Sequence, residues 1–338
     1  MKKNSGKLVF WGIILAAGIA IEVLGRIGIL DGYVMQVIEL MGINAILVAS
    51  LNLTNGFLGE FAIGHAGFMA LGAYISAICT VKFQMPFAPA LIIGSSVTAF
   101  LSYLIGIPAF KTSGDYLAVI TLGFNMIIVN LLNNIEYVGG PRGMVGLAKS
   151  TNFIWVFVIV LLTIVILRNL IFSNFGRTWI AIREDGIAAE MMGVNVFRSK
   201  LKAFAVSAFF AGLAGALWGH MMQYINPSSF TYVKSTDMLI MLYLGGVGSL
   251  SGSVLGSVLM TGLLEILRDL GVWRMVISPL ILIIIMLRRP LGLMGNREAR
   301  ALLTREASVP TAEGKNGLHG IFSAFRRPAR EKEGGIDS

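Results

Sequence analysis

Phe153-Ile154-Trp155-Val156-Phe157-Val158-Ile159-Val160-Leu161-Leu162-Thr163-Ile164-Val165-Ile166-Leu167-Arg168-Asn169-Leu170-Ile171-Phe172 carries one charge, Arg168, and runs directly into a polar, basic stretch. A helix rising 1.5 Å per residue needs about 20 apolar residues to cross the hydrocarbon core, so this run reads as one membrane crossing. Similar runs cover Leu8–Leu30, Val34–Leu53, Phe57–Val81, Phe87–Ile107 and Tyr116–Leu132 before it, and Ala203–Tyr224 and Val272–Leu287 after it. Polar, Gly and Pro breaks separate them: Thr54-Asn55-Gly56, Lys82 to Pro86, Lys111 to Asp115, and Asn133 to Gly143. The apolar residues do not alternate with period two, which excludes an outer-membrane barrel.

Composition agrees. Of 338 residues 56% are apolar and only 13% charged, with 40 glycines and a mean hydropathy of +0.78. A soluble chain averages about 25% charged residues, so this one cannot cover its surface as a soluble protein does. Nine or ten crossings of about 20 residues each would use the apolar complement. The fold class is therefore all-α: a polytopic helical bundle of about ten transmembrane segments. Lys2, Lys3 and Lys7 precede the first run without a small-residue cleavage site, so that run is read as a retained span. Cys79 is the single cysteine, which excludes an intramolecular disulfide framework. The net charge of +9 is explained by basic residues at span ends, so no nucleic-acid partner is expected.

The longest internal polar stretch, Ser173–Lys202, contains Arg177, Arg183, Arg198, Lys200 and Lys202 and is cytoplasmic by the positive-inside bias. Six crossings precede it, placing the amino terminus on the same side. The basic tail after Arg288-Arg289-Pro290 should share that side, so four crossings must follow the loop. Residues 237–268 must then cross twice, although a single span would use most of them. Leu244-Gly245-Gly246-Val247-Gly248-Ser249-Leu250-Ser251-Gly252 suggests how, by dividing the segment into two short helices. Gly-interrupted apolar segments mark discontinuous helices beside a translocation path. One long helix with close-packing glycines is the alternative, and it would put the tail outside. Asn55 to Gly59, with Gly64, His65, Gly67 and Gly72, has a similar texture in the first half, a weak sign of an internal repeat. Residues 1–295 form the membrane domain, and 296–338, rich in charge and Gly, reads as a disordered cytoplasmic tail able to touch anionic lipid.

No catalytic constellation is visible. His65, His220 and His319 stand apart without metal-spaced partners, and there is no phosphate loop or nucleophile elbow. No metal, cofactor or enzymatic activity is expected of this chain. Polar residues within spans are the functional candidates: Glu22, Glu39, Asn44, Asn52, Glu60, His65, Asn125, Asn130, His220, Gln223 and Glu265. Asn52, His65 and Asn125 rank first, because Gly64-His65 marks a helix break and Asn125 can meet either a neighbouring helix or a passing polar solute. With Gly245, Gly246 and Gly248 they make the expected path. Within the loop, Asp185 can cap a short helix over Gly186–Met192 and Gly193 can close it. Ile187, Met191 and Val194 give that helix an apolar stripe, suited to a soluble partner or to an ordinary amphipathic linker.

This loop resembles the short helix by which ABC-importer permeases dock onto their ATPases, in the form found in Liv-type branched-chain amino acid permeases. The resemblance continues through Ile120-Thr121-Leu122-Gly123-Phe124 with Ile127-Ile128, through Gly139-Gly140-Pro141-Arg142-Gly143-Met144, and through Arg198 to Leu217. It extends to Asn226-Pro227-Ser228-Ser229-Phe230, Leu244 to Gly256 and Arg289-Pro290-Leu291-Gly292-Leu293, covering about residues 45–295. Asn226 departs from the family's Ser. The resemblance implies a permease subunit without ATPase activity, in a bacterial inner membrane with both termini cytoplasmic. It implies a second homologous permease, two ATPase subunits that bind ATP and Mg, and an extracytoplasmic substrate-binding protein. The docking role falls on Arg183, Glu184, Asp185, Ala188, Ala189, Glu190 and Gly193. Branched-chain amino acids are the implied substrate. Urea, short amides or sugars within the same fold, and an ATP-independent carrier or channel, are the rivals.

Overall fold

The computed structural model describes residues 16, 18–28, 30–112, 116–288 and 292–295. Residues 8–15, 17 and 29 of the first apolar run, Arg289 to Leu291 of the terminal motif, and the tail 296–338 lie outside them. After helical backbone at 18–26 come α1 (Gly32–Asn52), α2 (His65–Val81), α3 (Phe87–Ala109), α4 (Tyr116–Asn134) and α5 (Phe153–Ile171). The polar stretch folds as α6 (Asn174–Glu184) and α7 (Gly186–Met191), followed by α8 (Val196–Met222), α9 (Tyr232–Gly245), α10 (Leu250–Ile266) and α11 (Arg274–Arg288). Among the described residues five helices are long and apolar enough to cross a membrane, six when α9 and α10, bent by 119° at their break, count as one. The protein is an all-α polytopic membrane protein apart from one ribbon. Its strands β1 (Met144–Val145) and β2 (Tyr224–Ile225) pair antiparallel, Met144 opposite Ile225.

α8 is the central element. Without a hydrophobic force between helices in lipid, close approach depends on small residues. A Cβ on Gly72 of α2 would stand 2.1 Å from the Gly212 oxygen of α8, and one on Gly215 would stand 2.0 Å from the Met69 oxygen. The two backbones are thus in contact. α8 begins at Val196, before the apolar run, because Asn195 Oδ1 accepts from Arg198 N–H at 2.9 Å and caps it. Asn226, the departure from the family pattern, accepts from Ser228 N–H at 2.9 Å and donates to the Pro141 carbonyl at 3.2 Å, tying the Asn-Pro-Ser-Ser turn to the Gly139–Met144 loop.

The apolar run Phe57–Val81 is not one helix, a correction to the expectation above. α1 ends in a π-turn, Leu53–Phe57, and regular helix resumes only at His65. Hydropathy cannot register this break, since the irregular residues are themselves mostly apolar. Non-helical backbone in a membrane needs internal partners, and three side chains supply them. The Asn55 amide exchanges two 3.3 Å bonds with the backbone of Ala62, Thr121 Oγ1 accepts from Ile63 N–H at 3.0 Å, and Ser235 Oγ accepts from Ala66 N–H at 2.9 Å.

α10 lies along α1 from end to end. Tyr33, at the start of α1, bonds Glu265 near the end of α10, Asn44 donates to Thr261 at 2.9 Å, and Asn52 meets Ser253 at 2.7 Å. After α11 the chain returns to the α9–α10 break, where Leu293 and Met294 N–H groups donate to the Leu244 and Gly245 carbonyls at 2.9 and 3.0 Å. These satisfy acceptors left open at the end of α9.

Candidate functional site

One end of the bundle gathers the π-turn, α6, α7, the start of α8 and the α9–α10 break. The local sequence builds α7 as the spacing predicts. Asp185 Oδ1 accepts from Ile187 and Ala188 N–H at 2.9 and 3.0 Å, and Gly193 closes the turn at φ +85°, where a side chain would be strained. α6 is pinned beneath it: Trp179 is buried and donates Nε1–H to the Ser199 carbonyl at 3.1 Å. On the outer face Ile187 is 76% exposed and Met191 and Met192 are each 85% exposed. These three large apolar side chains on a charged loop are exposed, with no partner among the described residues.

Two residues expected at this surface face the other way. Ala189 is 6% exposed and packs against the body, so Ala188 alone of the pair is presented outward. Helix periodicity separates neighbouring residues by about 100°, which a list of small residues does not reveal. Arg183 also turns inward. Its Nη1 donates to the Gly56 carbonyl at 3.0 Å, and its other nitrogens bond Glu184 Oε1 at 3.1 and 2.6 Å. Beside it Lys200 pairs with Glu60 of the irregular segment. Glu184, Asp185, Glu190 and Gly193 are exposed.

Gly56 leads to Asn52, which is fully buried. Asn52 donates to the Ser249 carbonyl at 2.8 Å and to Ser253 Oγ at 2.7 Å, and accepts from Gly248 N–H at 2.8 Å. The side chain therefore holds the turn between α9 and α10. That turn needs Gly246 and Gly248, at φ +124° and +82°. Gly245 allows contact of a different kind: its Cβ would stand 2.0 Å from the Gly252 oxygen. In this conformation Asn52, Gly245, Gly246 and Gly248 are packing and turn elements, a different role from the expected lining of an open path. Arg183, Gly56, Asn52 and the helix break thus form one continuous polar connection from the exposed loop into the membrane domain.

The second cluster lies where α2 begins. His65 Nε2 is 2.9 Å from Ser50 Oγ, which also lies 2.8 Å from the Leu47 carbonyl. The hydroxyl's one proton goes to that carbonyl, so Nε2–H is the donor to Ser50. Ser207 of α8 bonds the Ser50 carbonyl at 2.6 Å, and a Cβ on Gly64 would stand 2.2 Å from the Thr121 oxygen of α4. One turn along, a Cβ on Gly67 would lie 3.2 Å from Asn125 Oδ1. Asn125 is 0% exposed, and neither its Oδ1 nor its Nδ2 has a hydrogen-bond partner among the described residues. The helix–helix bond that would have explained this residue is absent. Each unsatisfied buried group costs about 1–3 kcal/mol. Among the described residues no three His, Cys, Asp or Glu side chains converge as a metal would require.

Gly56, Ser235, Ser249 and Ser253 were missed by sequence reasoning. Ser and Gly are common in membrane helices, and only the fold brings these residues onto Asn52 and Ala66. The signal that exists, a serine flanking a Gly-rich break, is legible only in retrospect.

The family described as branched-chain amino acid transport system permease component matches residues 33–287. The chain is 33% identical over 284 residues to the high-affinity branched-chain amino acid transport system permease protein LivM of Salmonella typhimurium, covering 74% of this chain and 67% of the relative. Against LivM of Escherichia coli K12 it is 32% identical over 295 residues, 77% and 69% of the two chains. Against the probable branched-chain amino acid transport permease protein LivH of Methanocaldococcus jannaschii the identity is 24% over 305 residues, 80% and 93% of the two. No solved structure matches the chain.

Proposed function

The chain belongs to the family of permease components of branched-chain amino acid transport systems, and from that premise we propose that it is the membrane subunit of an ABC importer for aliphatic amino acids. The observation that carries the reading is α7, a capped helix presenting Ile187, Met191 and Met192 to solvent on a basic loop. Such a helix fits a groove on an ATPase subunit facing the cytosol. Met and Ile supply the contact area, and the rim carboxylates Glu184, Asp185 and Glu190 add about 0–1 kcal/mol each. ATP and Mg belong to that partner. A second, homologous permease completes the membrane core, supported by the likeness of this chain to both LivM and LivH relatives. A binding protein outside delivers the substrate and sets most of the selectivity, since a methylene in an apolar path is worth only about 1–3 kcal/mol.

ATP-driven closure of the ATPase pair pulls α7. The movement passes through Arg183 to the Gly56 carbonyl, then through Asn52 to the α9–α10 turn. Exposed loop and discontinuous helices move together, alternating access to a central path lined by Gly64, His65 and Asn125. Ten crossings place the loop and both termini on the cytoplasmic side of a bacterial inner membrane. The contacts of α10 with both ends of α1, and of Leu293 with Leu244, support three passes after α8.

The test is co-purification. Met191→Asp and Ile187→Asp are expected to insert normally and to lose the ATPase subunits. Retention of the ATPases by both variants would remove the docking assignment.

A further inference from the structure

We propose that the Asn125 amide and the first turn of α2 form an occluded site for the ammonium and carboxylate of an aliphatic α-amino acid, exposed when α2 and α4 part. The inference rests on the transport reading above and adds where the substrate is held. Buried polar side chains at other helix seams find partners across them: Asn52 bonds Gly248, Ser249 and Ser253, Ser50 bonds His65, and Asn44 donates Nδ2–H to Thr261 although its Oδ1 has no partner among the described residues. Asn125 differs, with both amide atoms fully buried and unpartnered. Its Oδ1 lies over the opening turn of α2, 3.2 Å from where a Gly67 Cβ would stand. An amide offers one strong acceptor and two donors. A zwitterion answers both, its ammonium donating to Oδ1 and its carboxylate accepting from Nδ2.

The helix supplies the preference for charge. α2 is 17 residues long and starts inside the bundle, so its positive pole lies beside this seam, where Gly67 N–H is bonded to the Gly64 carbonyl at 3.0 Å. The Ala66 N–H is held at 2.9 Å by the neutral Ser235 hydroxyl, a place where a carboxylate oxygen makes a stronger, charge-assisted bond. Urea or a short amide would satisfy Asn125 but gain little from the pole. Phe68 stands 5.3 Å from Phe124 and 5.2 Å from Phe204, centroid to centroid. The Phe124 ring edge lies 3.5 Å from where a Gly67 Cβ would stand, so this aromatic cluster gives an aliphatic side chain an apolar wall.

The test uses the whole transporter in liposomes, comparing labelled leucine delivered per ATP hydrolysed. Asn125→Leu and Asn125→Ala are each expected to lower that ratio by about tenfold or more, the effect of losing one charge-assisted contact. Thr163→Val, which removes a buried unpartnered hydroxyl from α5, keeps the wild-type ratio. A structural role for Asn125 would depress uptake and hydrolysis together and leave the ratio unchanged, and that result overturns the site. Should Asn125→Leu fail to assemble, Asn125→Ala, which cannot overfill the seam, decides the question. Wild-type vesicles that hydrolyse ATP yet take up urea and no leucine would overturn the transport reading itself, a failure distinct from an unchanged ratio in the variants.

Discussion

Replacing Asn52 by Ala should loosen the hinge between the loop and the broken helices. The side chain makes three bonds across the α1–α10 seam. Truncation leaves the Gly248 N–H without its acceptor, while the Ser249 carbonyl keeps bonds from Ser253 N–H and Oγ, both at 3.0 Å. One stranded donor costs about 1–3 kcal/mol and two lost donor bonds about 0.5–1.5 kcal/mol each, a total of about 2–6 kcal/mol. Gly56→Ala should have the same effect from the other side, since its Cβ would stand 1.8 Å from Asn52 Oδ1 and force the amide off its partners. Both variants should therefore lower the melting temperature of the detergent-purified transporter and reduce uptake per ATP. Their effects should also be strongly non-additive in the double variant, because each removes the same interaction. Wild-type melting and coupling in Asn52→Ala, or additive losses in the pair, would refute the claim that these residues form one connection.

Two further expectations follow from the loop. Ala188→Arg should fold but weaken ATPase association, whereas Ala189→Arg, placed in a buried position, should reduce the yield of folded protein; size-exclusion profiles and co-purification separate the two. Asp185→Ala removes the acceptor for two amide groups, at a cost of about 0.5–2 kcal/mol to α7. Hydrogen exchange at Ile187–Met191 should accelerate accordingly, with exchange in α8 unchanged.

The membrane bundle was legible because its determinants are local. Charge-poor runs and basic breaks gave the boundaries of α3, α4 and α5 to within a few residues, and Asp185 and Gly193 delimited α7. Legibility failed wherever the determinant was a contact between distant segments. The break before His65 lies inside an apolar run and is held open by Thr121 and Ser235, which are 58 and 169 residues away from their partners. Asn52 reads as a polar residue in a span, and only the fold shows it occupied by the α9–α10 turn. Ala188 and Ala189 are chemically identical in sequence, yet the packing of α7 on α6 and α8 exposes the first and buries the second. For Asn125 the sequence left two roles open, and the fold removes the bond to a neighbouring helix.

The side of the membrane faced by α7 tests the account most directly. Met191→Cys in a Cys79→Ala background gives one exposed thiol on that helix. A membrane-impermeant maleimide should label it in inverted vesicles stripped of ATPase, not in intact cells, and rebinding of the ATPase should block the reaction. Labelling from outside intact cells would contradict the orientation and the coupling mechanism built on it.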